Sequence, residues 1–433
     1  MPAEGDVTGW LARSVVAAVV VLGAVGAAQP AGAVERQPRE AACKYHDPEL
    51  LASRLGPVQA AAPTWAQERL RYAEALRYGR GAGVTVAVVD SGVDGAQEQL
   101  RGRVLPGYDV TSGQVRPGAD TDCAAHGTAV AGIIAARPRA DRGLVGVAPD
   151  ALILPVRQSW GVDDNGNLAP GSAVNLVSAM QAALTAGAQV LNVSVTVAAD
   201  QLTAAGKAAF AGVAQRALTR NAVIVAATGN RNEYKNQNVI TYPAALAQGY
   251  DSVIAVGGIG RAGKVDENSI TGPFVTVVAP SQELPCLLVG GGLVPFSGTS
   301  FAAPFVSGLV ALLRGRQPRL TPAEIKRRLE LTADHPSTDL PSPELGYGVI
   351  NPVAALTAVL PTASPPVQRA AAPLPAPSTP DSRARLIGLA VAAGATLLAL
   401  VVIAAAVVIP RGRRRRWQPG HPADPAPSVP IGR

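Results

Sequence analysis

Residues 84–93, Val84-Thr-Val-Ala-Val-Val-Asp-Ser-Gly-Val93, decide the fold class of this chain. The run is apolar and rich in β-branched side chains, and it ends in an acid followed by a glycine turn. This pattern predicts a strand of a parallel sheet whose two faces are both covered. Because α/β sheets place functional groups at the carboxyl ends of their strands, Asp90 is a candidate functional residue.

Similar runs recur along the chain and alternate with alanine-rich stretches. Further strands are predicted over 152–156, 189–194, 222–226, 253–257 and 275–279. Helices are predicted near 126–136, 172–186, 203–220 and 300–315. The alternation favours a three-layer α/β domain with a mostly parallel sheet and helices on both faces.

A histidine stands in a structured setting in Asp122-Cys-Ala-Ala-His-Gly-Thr-Ala-Val-Ala-Gly132. The chain has four histidines, and the other three lie in proline-flanked or acidic, loop-like contexts. His126 begins a helix rich in alanine and glycine, where the Gly-Thr step leaves one side of its imidazole open.

A candidate nucleophile lies in Phe296-Ser-Gly-Thr-Ser-Phe-Ala-Ala-Pro-Phe-Val-Ser-Gly308. Ser300 follows a glycine turn and begins a helix of small residues, so its hydroxyl can project into a cleft beside backbone N–H groups. The alternative is a Gly-Ser loop that caps an ordinary helix.

Asp90, His126 and Ser300 can form a relay in which the acid orients the imidazole and the imidazole takes the serine proton. Asn230 ends the strand Ala222-Val-Ile-Val-Ala-Ala-Thr-Gly-Asn230, where its amide could donate to an oxyanion. A turn-forming asparagine is the alternative at that position.

These four segments resemble the signature blocks of the subtilisin-like serine proteases, in the same order, over residues 80–333. The resemblance implies a triad of Asp90, His126 and Ser300, with Asn230 as oxyanion donor. It also implies that two short segments and the loop after 155–157 line the substrate cleft. The residues of those two segments are Ser194, Val195, Thr196, Ala227, Thr228 and Gly229. Thr196 and Thr228 depart from the smaller residues usual in the family, and both would narrow the cleft near the P1 side chain.

Both ends of the chain carry apolar segments. Residues 14–28 are followed by Ala31-Gly-Ala33, a pattern typical of a secretory signal peptide, with an uncleaved anchor as the alternative. Leu386 to Ile409 is an uncharged run of 24 residues, about 36 Å as a helix, which is long enough to cross a bilayer. Arg411–Arg416 follows it, so the tail is expected in the cytoplasm and the catalytic domain outside it.

The chain therefore divides into six predicted parts. They are a signal peptide (1–33), an N-terminal extension (34–80), a peptidase domain (81–358), a proline-rich stalk (359–385), a transmembrane helix (386–409) and a basic tail (410–433).

Composition argues against several function classes. The net charge of +7 owes much to the arginine cluster, and aromatic residues make up only 4% of the chain, so nucleic acid is not an expected partner. No metal-binding or phosphate-binding motif is present in the sequence, and no cofactor is expected. Backbone calcium sites leave little trace in a sequence and stay open.

Three cysteines in an exported protein allow one disulfide. A Cys43–Cys123 bond would hold the N-terminal extension across the rim of the site and would leave Cys286 free. The alternative is a Cys123–Cys286 pair.

Nearly the whole chain resembles the mycosins, the membrane-anchored proteases of type VII secretion systems. The resemblance implies a serine endopeptidase at the cell membrane that cleaves selected exported proteins and helps to stabilise the secretion complex. Its partners would be those substrates and the membrane components of the system. The second cysteine pair usual in mycosins is missing. The alternatives are a mainly structural subunit with low proteolytic activity, or a generic membrane-tethered subtilase.

Overall fold

The structure is a computed structural model of the chain. It describes residues 53, 56–58, 62–141, 143–159, 172–234, 239–337, 339–360, 382–414 and 416. The predicted signal peptide, residues 160–171, most of the predicted stalk and the end of the tail lie outside these residues.

A mixed sheet of eight strands forms the centre of the domain, in the order β10-β9-β7-β5-β1-β4-β2-β3. Every neighbouring pair is parallel except β2 and β3, which pair antiparallel at one edge. The strands of this sheet are β1 (Thr85–Asp90), β2 (Tyr108–Asp109), β3 (Arg116–Pro117), β4 (Leu152–Arg157), β5 (Val190–Val193), β7 (Val223–Ala227), β9 (Val253–Ile259) and β10 (Val277–Pro280).

Four short strands form two separate antiparallel ribbons. They are β6 (Val197–Ala198) with β8 (Thr241–Tyr242), and β11 (Leu284–Leu287) with β12 (Leu293–Phe296).

Helices cover both faces of the sheet. The histidine helix is His126–Ala135 and the serine helix is Thr299–Arg316, and both belong to one apolar core. Helices Ala173–Thr185 and Ala204–Thr219 belong to the other core. The remaining helices are Trp65–Arg69, Tyr72–Ala75, Pro322–Thr332, Pro352–Thr357 and Ser382–Arg414, with 3₁₀ turns at Ala199–Gln201, Arg231–Glu233 and Ala244–Gln248.

Strand β1 shows why both layers are needed. Val86 and Val88 pack into the core under the serine helix, whereas Ala87 and Val89 pack into the opposite core. Successive side chains of a strand point to opposite faces, so a run that is apolar at every position must be covered on both sides. The three-layer α/β fold predicted from this run is confirmed.

The six predicted strands and four predicted helices are present, with ends shifted by a few residues. Strands β2 and β3 are not among the predictions, because each has only two residues and none of them is buried. Such short edge pairs depend on a neighbouring strand, here β4, rather than on a local apolar pattern.

The C-terminal helix, Ser382–Arg414, extends beyond the predicted 386–409 at both ends. It continues through Pro410 into the arginine cluster, and its last turn carries Arg411, Arg413 and Arg414. Positive side chains interact favourably with the negative end of a helix dipole, which accounts for the extra turn. Among the described residues, this helix is the one long and apolar enough to cross a membrane.

The described part of the N-terminal extension packs on the domain. Helix Trp65–Arg69 begins with a capping box at Thr64 and Gln67. The Trp65 indole N–H donates to the Gln282 carbonyl at 3.1 Å, and Arg69 pairs with Asp334 at 2.8 Å.

Candidate active site

Three strands end and two helices begin at the carboxyl edge of the sheet, where they bring the candidate residues together. Asp90 is the last residue of β1, Ser194 follows β5 directly, and Asn230 lies three residues after β7. The histidine helix and the serine helix begin at the same edge, at His126 and Thr299. A parallel sheet collects the ends of its strands in this way, so residues far apart in sequence meet there.

A buried hydrogen bond joins the acid to the histidine. The His126 Nδ1–H donates to Asp90 Oδ1 at 2.7 Å, and the two side chains are 1% and 0% exposed. The Ser91 N–H also donates to Asp90 Oδ1 at 2.8 Å, which fixes the orientation of the carboxylate. With its proton on Nδ1, neutral His126 presents Nε2 as an acceptor, as a general base requires.

A second buried acid, Asp122, supports this pair, and the sequence analysis did not single it out. Its Oδ1 accepts from the Ser91 hydroxyl at 2.8 Å, and its Oδ2 accepts from the Thr128 N–H at 2.8 Å. The Gly127 N–H donates to Ser91 Oγ at 3.0 Å. Asp122 therefore ties the first turn of the histidine helix to the residue after Asp90. In the sequence, the only sign of this role was that Asp122 stands four residues before His126.

The surrounding charges set the pKa of the histidine. Burial lowers the pKa of His126, but the negative charges of Asp90, Asp122 and Glu233 raise it by more, so the net pKa lies above its ordinary value. Burial raises the pKa of Asp122, although the Thr128 and Ser91 hydrogen bonds act in the opposite direction.

The Ser300 hydroxyl is turned toward β5 rather than toward the histidine. Ser300 Oγ donates to the Ser194 carbonyl at 3.0 Å, and Ser194 Oγ donates to the Ser300 carbonyl at 2.8 Å. The serine helix nevertheless lies beside the imidazole: the centroid of the Phe301 ring is 4.9 Å from the centroid of the His126 ring. The structure thus brings Ser300 and His126 to one site, with the serine hydroxyl in a resting orientation.

Asn230 is held by the start of the serine helix. Its Oδ1 accepts from the Thr299 N–H at 3.0 Å and from the Thr299 hydroxyl at 3.2 Å. A backbone N–H can only donate, so the Asn230 atom that faces Thr299 must be the amide oxygen. The amide nitrogen, Nδ2, therefore points to the other side. Nδ2 donates to Glu233 Oε1 at 2.6 Å. This contact was not anticipated from the sequence.

The backbone of Gly298 lies close to the Asn230 side chain, and this close approach makes the arrangement possible. Gly298 has φ +134°, and a Cβ there would lie 3.2 Å from Asn230 Nδ2. Only glycine adopts this conformation readily, so the turn requires Gly298.

The two segments expected to line the substrate cleft are buried. Ala227 and Thr228 belong to them, and the Thr228 hydroxyl lies 3.5 Å from the Ser269 hydroxyl. That Thr228 narrows the cleft near the P1 side chain stays a prediction. Ser194 and Val195 are also buried.

Thr196 and Gly229 lie side by side. The Thr196 hydroxyl bonds to the Tyr234 hydroxyl at 2.8 Å, and it would lie 3.1 Å from a Cβ at Gly229. Burial raises the pKa of Tyr234 to about 12. Tyr234, which the sequence analysis did not include, thus lies directly beside Thr196, one of the residues expected to line the cleft.

Two of the three cysteines, Cys123 and Cys286, lie in the described part of the chain. Cys286 is free and buried, and burial raises the pKa of its thiol. Cys123 is buried, and Cys43, its expected partner, lies outside the described residues, so the disulfide between them stays a prediction. In the described part of the chain, no cluster of His, Cys, Asp and Glu side chains could hold a metal ion.

Comparisons with known proteins point to one family. The model of the subtilase family matches residues 81–348. Mycosin-1 of Mycobacterium tuberculosis is 37% identical over 376 residues, which are 77% of this chain and 83% of that protein. The crystal structure of MycP1 from the ESX-1 type VII secretion system has a TM-score of 0.62 at 35% identity, and the match covers 70% of this chain and 88% of that chain.

A further solved structure is the periplasmic assembly from the ESX-5 inner membrane complex. One of its chains matches with a TM-score of 0.60 at 30% identity. The match covers 75% of this chain and 92% of that chain.

The charges around the imidazole predict a pH dependence. His126 must be neutral to take a proton, and its raised pKa keeps it protonated to higher pH. The rate of acylation of Ser300 should therefore rise with pH, with a midpoint above the ordinary histidine pKa of about 6.5. Asp122→Asn removes one negative charge and should move the midpoint to lower pH.

The measurement is the pH profile of covalent modification by an acylating probe. Glu324→Gln, in the distant helix Pro322–Thr332, is the control and should leave the midpoint unchanged. A wild-type midpoint below 6.5, or no shift in Asp122→Asn, would contradict this electrostatic account.

Proposed function

This chain belongs to the subtilase family of serine endopeptidases and, within that family, to the mycosins. From that membership we propose that it is a membrane-anchored protease of a type VII secretion system. It cleaves selected exported proteins and stabilises the secretion complex. The observation that carries the proposal is the buried Asp90–His126 hydrogen bond beside Ser300 at the carboxyl edge of the sheet.

In this proposal Ser300 is the nucleophile. Its hydroxyl rotates from the Ser194 carbonyl to Nε2 of His126, which takes the proton as Ser300 attacks the scissile carbonyl. Asp90 stabilises the imidazolium that forms. His126 then donates the proton to the leaving amine, and water hydrolyses the acyl-enzyme by the same steps in reverse.

The tetrahedral intermediate carries a negative oxygen. Ser300 lies in the first turn of the serine helix, where backbone N–H groups have no acceptor within the helix. We assign the Ser300 N–H and the Asn230 amide as its donors, and each such donor typically contributes about 3 kcal/mol to lowering the barrier. The backbone of 194–196 and 227–229 would hold the substrate in the cleft.

The ends of the chain support a membrane location. Helix Ser382–Arg414 is long and apolar enough to cross a bilayer, and its basic last turn favours the cytoplasmic side. With the signal peptide directing export, the catalytic domain would be extracytoplasmic and tethered by the stalk. The disulfide of Cys123 would be formed with Cys43 and would hold the extension beside the site. The partners would be the exported substrates and membrane components of the system, as the match to the ESX-5 assembly suggests.

A mainly structural role is the second candidate function. It is favoured by the resting orientation of the Ser300 hydroxyl and by the Glu233 carboxylate bonded to Asn230, both of which oppose high activity. In that case the fold and the membrane helix would matter more than proteolysis.

Covalent labelling tests the chemistry. The full-length protein should react with a fluorophosphonate probe, because His126 activates Ser300, and Ser300→Ala and His126→Ala should abolish the reaction. Labelling is read by gel fluorescence and located by peptide mapping. Ser178→Ala is the control, since this serine lies in helix Ala173–Thr185, which packs in the core on the other face of the sheet from the serine helix. Persistent labelling of Ser300→Ala would contradict the assignment.

Secretion assays separate the two candidate functions. Deleting residues 382–414 should abolish secretion of the cognate substrates, because the complex loses its anchored subunit. Ser300→Ala should leave bulk secretion largely intact and change only the processing of substrates. Equal loss of secretion in both strains would show that proteolysis drives export, and the structural role would have to be abandoned.

A further inference from the structure

The candidate oxyanion donor is already occupied in this structure. Asn230 Nδ2 donates to Glu233 Oε1 at 2.6 Å, and a bond of this length to a carboxylate is typical of a charge-assisted hydrogen bond. Glu233 belongs to the 3₁₀ turn Arg231–Glu233, which directly follows Asn230. The carboxylate thus comes from the same short segment as the donor that it engages.

Glu233 is not needed to orient the amide. Both bonds from Thr299 to Asn230 Oδ1 already fix the side chain against the serine helix. A third partner at Nδ2 adds no orientation that catalysis requires. It instead takes up one of the two N–H groups on the nitrogen that would meet the oxyanion.

The carboxylate also carries the wrong charge for this position. Asn230 stabilises negative charge as it develops, and a second negative charge beside it has the opposite effect. Glu233 lies close enough to His126 to contribute to the raised pKa of the imidazole. Its charge is therefore felt at the reacting groups themselves.

The turn that carries Glu233 is anchored independently of the carboxylate. The Arg231 guanidinium Nε donates to the Ser269 carbonyl at 3.0 Å, and its Nη2 donates to Thr271 Oγ1 at 2.8 Å. The Tyr234 hydroxyl bonds to Thr196 at 2.8 Å. Glu233 lies between these two anchors in sequence and is exposed to solvent.

We propose that Glu233 is an autoinhibitory residue of the reaction centre, whose carboxylate competes with the substrate oxyanion for the Asn230 amide. The inference rests on the proposed function, because it needs Ser300 as nucleophile and Asn230 as oxyanion donor. As Ser300 is acylated, the negative charge that develops on the substrate oxygen meets both this competing acceptor and its charge. Every acylating substrate meets this barrier.

The test uses the full-length protein in detergent and the second-order rate of Ser300 labelling by a fluorophosphonate probe, at a pH on the alkaline plateau of the wild-type profile. Glu233→Ala should label roughly 10-fold to 100-fold faster, the range expected for releasing one hydrogen bond to a charged group. Glu233→Gln, which keeps a neutral and weaker acceptor, should fall between the two. Glu267→Ala is the matched control, an exposed acid on a neighbouring loop, and should match the wild type.

A double-variant cycle shows whether the effect passes through Asn230. In the Asn230→Ala background, most of the acceleration by Glu233→Ala should be lost, and only the smaller effect of removing its charge should remain. An unchanged or slower rate in Glu233→Ala would overturn the proposal, and so would a full acceleration that persists without Asn230. Absence of labelling in the wild type, or labelling in Ser300→Ala, would instead contradict the proposed function.

Discussion

The hydrogen bond between Asp90 and His126 is the interaction on which the rest of the site depends. It joins the end of strand β1 to the start of the histidine helix, and both side chains are buried from solvent. In such surroundings the charge of a carboxylate is only weakly screened. Burial alone would lower the pKa of the imidazole and make it a poor proton acceptor. Asp90 reverses that effect and fixes the proton on Nδ1, so Nε2 is available to the serine. The sheet, the glycine turns and the two helices act together to keep this pair in place.

Burying a carboxylate beside the histidine is costly unless its hydrogen bonds are satisfied. The described structure meets this requirement in part. Asp90 Oδ1 accepts from His126 and Ser91, and Ser91 and Thr128 bond to Asp122, whereas Asp90 Oδ2 is buried without a hydrogen-bond partner. The same network that stabilises the acid therefore orients the base. On the other side of the cleft, Ser300 and Asn230 each have an acceptor other than the substrate. The acid–base half of the site is assembled, whereas the nucleophile and the oxyanion donor are at rest.

Much of the fold and the identity of the main site residues could be predicted from the sequence. Strand β1 is apolar from Val86 to Val89 and ends at Asp90, which stands at the edge where a parallel sheet places functional residues. Asp122 and Glu233 could not be found in this way. Asp122 acts through Ser91, 31 residues away in sequence, and only packing shows that the two meet. The contact of Glu233 depends on which atom of Asn230 bonds to Thr299, 69 residues away. The burial of Thr228 likewise follows from its neighbours, since an isolated threonine after a strand gives no sign of which way it faces.

Nitrogen-15 NMR of histidine-labelled protein tests the central claim most directly. The chain has four histidines, so the signal of His126 can be assigned by comparison with His126→Gln. The account predicts that neutral His126 carries its proton on Nδ1 and titrates with a pKa above about 6.5, and that Asp90→Asn lowers this pKa. A neutral form protonated on Nε2, or a pKa that Asp90→Asn leaves unchanged, would show that the buried pair does not control the imidazole.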